Sequence, residues 1–96
     1  MDYDELEKLF SNAGNKTRCT DLINWLESAG FKLKKGKRGN HYTFTHDGID
    51  GFTTSDFDCG HGKNSEVKKP FITKILNHVI KQYKTELEDY FKKQKG

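Results

Sequence analysis

The sequence of 96 residues lacks long apolar runs, and none approaches the roughly 18 to 20 residues needed to span a bilayer. The acidic start MDYDELEK is unlike a signal peptide, so the expectation is a protein made and kept in the cytoplasm. Only two cysteines occur, Cys19 and Cys59. In a chain without a secretion signal their wide separation argues against a structural disulfide, and free thiols are expected. No internal repeat or low-complexity linker divides the chain. At this length a single modest core is affordable and two are not. Apolar residues make up 32% and charged residues 32%, yet 12% are aromatic, and with Leu, Ile and Val at regular spacings they argue against a wholly disordered chain.

Charge is present in excess of one sign only locally. The net value is +3, but residues 16 to 45 carry seven bases against two acids, whereas 46 to 60 carry four acids and no Lys or Arg. Lys32, Lys34, Lys35, Lys37 and Arg38 put five cations within seven residues, a density suited to several phosphates. A polyanionic partner and a merely solvated lysine-rich turn both remain open on this ground.

Periodicity supplies the elements. Tyr3, Leu6, Leu9 and Phe10 predict a short N-terminal helix ended by NAGN. Thr20 is placed to cap a second helix with Leu22, Ile23, Leu26 and Ala29 on its apolar stripe and Gly30 as its stop. FKLKK, HYTFTH and GFTTSDF predict three strands separated by GKRG and HDGIDG. In HYTFTH, His41, Thr43 and Thr45 share one face, and Tyr42, Phe44 and His46 the other. Pro70 then opens a long helix, with Ile72, Ile75, Leu76, Val79, Tyr83, Leu87 and Tyr90 on one continuous face over 70 to 91. The segment beyond Tyr83 is expected to pack on the N-terminal helix or on a partner. The fold class is α+β: two helices cover one face of a three-stranded antiparallel meander, and the other face meets water. If Tyr42 and Phe44 point to the helices, His41 points to solvent beside the basic turn.

Three stretches in this order, LINWLESAGFKL, RGNHYTFTHDG and GHGKNSEVKKPFITKILNHVIKQY, resemble the HicA family of toxins from bacterial toxin-antitoxin systems. The resemblance spans about residues 16 to 83. It leaves 1–15 as an accessory helix and 84–96 as a C-terminal helix extension and basic tail. It implies a fold like that of double-stranded-RNA-binding domains and an mRNA interferase activity, an endoribonuclease that stops translation until a HicB antitoxin covers it. The family's Gly-Ser-His motif falls on Gly39, Asn40 and His41, with Asn40 where the family most often has serine.

RNA carries its own nucleophile, the 2′-OH, so cleavage needs proton transfer and charge stabilisation but no obligatory metal. Imidazole suits the proton steps near neutrality, which makes His41 the candidate general acid or base. His61 in CGHG is a second candidate, equally readable as a loop residue with no role. Lys34, Lys35, Lys37, Arg38, Gly39, Asn40 and Lys69 are the expected RNA-binding positions, with Lys32, Lys68 and Lys74 adding to the basic surface. Tyr42 reads as core rather than as a stacking platform, and His78 as exposed. Cys59, His61, His46 and His41 do not have the ligand spacing of a structural zinc site, so no metal or cofactor is expected. A non-catalytic RNA-binding module of the same fold would keep the lysines and tolerate loss of His41. A protein-interaction module would use the acidic block Asp47, Asp50, Asp56 and Asp58, which would repel RNA, together with the long final helix.

Overall fold

The structure, a computed structural model, describes residues 1–14, 16–37, 39–60 and 65–95. Arg38 and His61, both singled out above, lie outside the described residues. The first helix, α1, spans Tyr3–Asn12, and the Asp2 carboxylate accepts the Glu5 backbone N–H at 2.9 Å as its N-cap. Asp4 and Glu5 in its first turn complement the positive end of the helix dipole. Tyr3, Leu6 and Phe10 bury one face of α1 in the same core as every other element.

Helix α2 spans Cys19–Ser28. Thr20 is therefore inside it and does not cap it. The reason lies in an antiparallel bridge between Arg18 and Glu66: the Cys19 N–H donates to the Ser65 carbonyl at 2.9 Å and the Val67 N–H to Thr17 at 2.8 Å. A neighbouring strand-like segment satisfies the donor that would otherwise want a side-chain cap. The other end matches expectation. Gly30 has φ +91°, with its N–H on Glu27 and that of Phe31 on Leu26, both at 3.0 Å, the paired bonds of a Schellman stop. A Cβ at Gly30 would lie 2.5 Å from the Tyr90 ring, so no larger residue fits there.

Strands β1 (Lys32–Lys35), β2 (His41–Thr45) and β3 (Ser55–Asp58) pair antiparallel in sequence order. The register sets Leu33 opposite Phe44, Tyr42 opposite Phe57 and His41 opposite Asp58. Phe44 and Phe57 are fully buried on the helix side, where Tyr42 stacks on Phe57 with ring centroids 5.5 Å apart. His46, just beyond β2, is buried as well. Its Nδ1 accepts the Gly48 N–H at 3.0 Å, so its Nε2–H donates to the Ala29 carbonyl at 2.9 Å. That ring ties the end of α2 to the sheet.

The long closing helix is not continuous. Helix α3 spans Lys69–Ile75, a π turn covers Leu76–Ile80, and α4 spans Lys84–Lys95. The Lys81 N–H reaches Leu76, five residues back, at 2.9 Å. At about 100° per residue Phe91 would sit about 100° away from Ile72, and the additional residue of the wide turn between them removes about that much. Phe91 and Ile80 are accordingly buried, whereas Tyr90 is only half-buried. Helix α1 packs against the π turn and α4, and the Lys84 ammonium stands over the Tyr3 ring at 5.5 Å. Helices α1 and α4 thus meet each other inside the single core.

The two cysteines are not free. Cys19 and Cys59 form a disulfide with Cα atoms 5.6 Å apart. Separation along the chain is uninformative here. The bridge just described, with the Gly60 N–H on Glu66 at 3.2 Å, brings the first residue of α2 beside the end of β3. No helix among the described residues is long and apolar enough to cross a membrane.

Tyr3 supplies a stability prediction. Its hydroxyl donates to the Ile80 carbonyl at 3.2 Å, and burial first, then Glu7, Glu88 and Asp4, push its pKa up to about 12. Between about pH 10 and 12 the unfolded chain releases a proton that the folded chain keeps, so this contribution is present below pH 10 and lost on the way to 12. Tyr3→Phe is expected to cost about 1 kcal/mol near neutrality through the lost hydrogen bond. It should also make the alkaline loss of stability shallower in that window, as measured by urea unfolding at stepped pH.

Candidate functional site

Strand alternation places Lys32 and Lys34 of β1, His41, Thr43 and Thr45 of β2, and Asp56 and Asp58 of β3 on the face turned away from the helices. His41 is where the sequence reading puts it, with a side chain 40% exposed. Its surroundings are different from a purely basic surface. Nδ1 lies 2.5 Å from Asp58 Oδ1, and Nε2 lies 3.3 Å from Asp56 Oδ2. The other oxygen of Asp56 accepts from Lys74 Nζ at 2.8 Å, reaching round from α3. His41 and Asp58 are directly opposed in the register, which is why the two side chains meet.

The imidazole is therefore oriented by a carboxylate, as in the pairs that hold a catalytic histidine in one tautomer. With Nδ1–H on Asp58, Nε2 is the nitrogen able to exchange a proton with a ligand. Donation to both carboxylates at once requires the doubly protonated ring.

Asp56 and Asp58, which the sequence reading places in a repelling acidic block, are the side-chain partners of His41. Their spacing around Phe57 held the signal: in a strand, SDFD puts both carboxylates on one face, opposite the buried ring. Asp47 is likewise not free, since it pairs with Lys32 at 2.5 Å. That hydrogen bond, with the attraction behind it, raises the Lys32 pKa and lowers that of Asp47. Both side chains are exposed, at 71% and 73%, and each neutralises the other.

The remaining expected binding positions divide. Lys34 shares the His41 face, opposite Thr43, and Lys37 is exposed in the β1–β2 turn. Lys35, opposite Tyr42, alternates to the other face at the sheet edge. Gly39 has φ +83°, a backbone that disfavours any side chain there. The Asn40 carbonyl accepts the Cys59 N–H at 2.7 Å and so couples the strand entrance to the disulfide. Lys69 is not brought to this face: its Nζ donates to the Ala13 carbonyl at 2.7 Å, at the end of α1. His78 is exposed on the π turn, and no cluster of His, Cys, Asp and Glu suited to a metal occurs among the described residues. No family model, curated protein or solved structure matches the chain.

Proposed function

We propose that the chain is a metal-independent endoribonuclease of the HicA toxin type, built on a fold like that of double-stranded-RNA-binding domains. The order of one helix, a three-stranded meander and a closing helix in α2 to α3 supports the fold assignment. The single observation that carries the activity is the geometry at His41, an exposed imidazole oriented by Asp58 at the mouth of a basic turn.

In this reading Nε2 of His41 takes the proton from the 2′-OH or gives one to the departing 5′ oxygen. Lys34 and Lys37 hold the backbone of the RNA, and Lys74 brings an ammonium to the corner where charge develops on the phosphorus oxygens. Entry of the phosphate exchanges the Asp56–Nε2 contact for one with substrate. A HicB-like antitoxin would cover the same face, so that antitoxin binding and RNA cleavage exclude each other. The proposed setting is the cytoplasm, where mRNA is available.

A second reading has one observation in its favour. Both nitrogens of His41 already face carboxylates, which suits a static strut in a non-catalytic RNA-binding module. The two readings separate on incubation of purified protein with a long single-stranded RNA in EDTA. The proposal expects internal cuts. Folded protein that retains RNA on a filter but leaves it intact would favour the binding module.

A further inference from the structure

Beside Asp58, the partner of His41, lies a cavity of about 310 Å³ lined by Asn40, Asp58, Cys59, Glu66, Lys68 and Phe71, of which the reaction above uses Asp58 alone. We propose that it is the subsite for a nucleobase flanking the bond at His41, one that offers N–H donors, guanine before all others. The inference rests on the ribonuclease reading for the identity of the polymer.

Asp58 belongs to both places: it lines the cavity and holds His41 Nδ1 at 2.5 Å. A nucleotide whose phosphate reaches the imidazole therefore has its base at the cavity mouth. Phe71 supplies the plate. Among the described residues the other phenylalanines each pair with another aromatic ring, whereas Phe71, half-buried at the start of α3 and packed against the core, pairs with none and lines the cavity. The walls are mostly apolar, and among their polar residues Asp58 and Glu66 are acidic. The Glu66 carboxylate and the Asn40 amide can accept from ring and exocyclic N–H groups, and guanine presents N1–H and its amino group side by side to a carboxylate. Uracil, with carbonyl oxygens in those positions but one, fits worst. Lys68 at the rim suits the connecting phosphate. The disulfide makes the floor rigid, because Cys59 is a lining residue.

The test is nuclear magnetic resonance titration of the oxidised full chain with each of the four ribonucleoside 3′-monophosphates, and with inorganic phosphate alone. Guanosine monophosphate is expected to shift the Phe71 ring and Asn40 amide resonances at the lowest concentration and uridine monophosphate at the highest. Phe71→Leu, which keeps apolar bulk but removes the ring, should weaken guanosine monophosphate about 5- to 100-fold. Shifts confined to the face of Lys34, equal affinity in Phe71→Leu, or the same shifts with phosphate alone would overturn the subsite. The readout needs no cleavage. If RNA is never cut, these shifts still decide the subsite; if RNA is cut and they are missing, the subsite alone fails.

Discussion

His41→Ala is expected to lower the single-turnover rate of RNA cleavage about 100- to 10,000-fold, the range that general acid–base catalysis contributes. The same variant should bind RNA within a small factor of wild type, because Lys34 and Lys37 remain exposed and phosphate contacts carry most of the affinity. Its fold should also persist: the His41 side chain is 40% exposed and fills no part of the core. Asp58→Asn is the companion test. An amide can still approach Nδ1, but it no longer favours the ring's N–H there, so cleavage should fall between wild type and His41→Ala. If His41→Ala cuts RNA as fast as wild type while folded, the imidazole is a bystander.

Loss of the Cys19–Cys59 bond is expected to have the largest effect on stability. The bond closes a loop with a separation of 40 residues, for which chain entropy in the unfolded state corresponds to about 4 kcal/mol. That is a large part of the roughly 5–15 kcal/mol typical of a folded domain. Cys19→Ser with Cys59→Ser should therefore unfold at clearly lower urea than the oxidised protein. Wild type in dithiothreitol should behave like the double variant. The effect has a functional side, since Cys59 directly follows Asp58 and its N–H is held by Asn40, the residue before His41. Coincident urea curves with and without reductant would show that the two thiols do not stabilise the domain as a pair.

Period-two alternation was enough to place His41 outside and Phe44 inside, and helix periodicity enough to find α1 and α2. What alternation cannot supply is register. Asp56 and Asp58 look like an isolated acidic block until β3 is set against β2, and only then does Asp58 fall opposite His41. The disulfide is hidden for the same reason, as it depends on a bridge between segments 17–19 and 65–67 that neither hydropathy nor spacing announces. Helix α3 was legible to Ile75. Beyond it the π turn changes the phase of the buried stripe, and a constant 3.6-residue period picks Tyr90 where the core takes Phe91. Lys69 shows the limit of counting charges. A lysine near a basic surface in sequence spends its ammonium on the Ala13 carbonyl just past α1.

In the proposed reaction His41 moves a proton as RNA's own 2′-OH attacks the phosphorus. This reaction is tested most directly by cleavage, in EDTA, of an RNA and of the same RNA with a single 2′-deoxy residue at the mapped cut. The all-ribose strand is expected to be cut to a 2′,3′-cyclic phosphate and a 5′-hydroxyl, and the deoxy-substituted bond to survive. Equal cleavage of both strands, or cleavage that EDTA abolishes, would contradict this reaction.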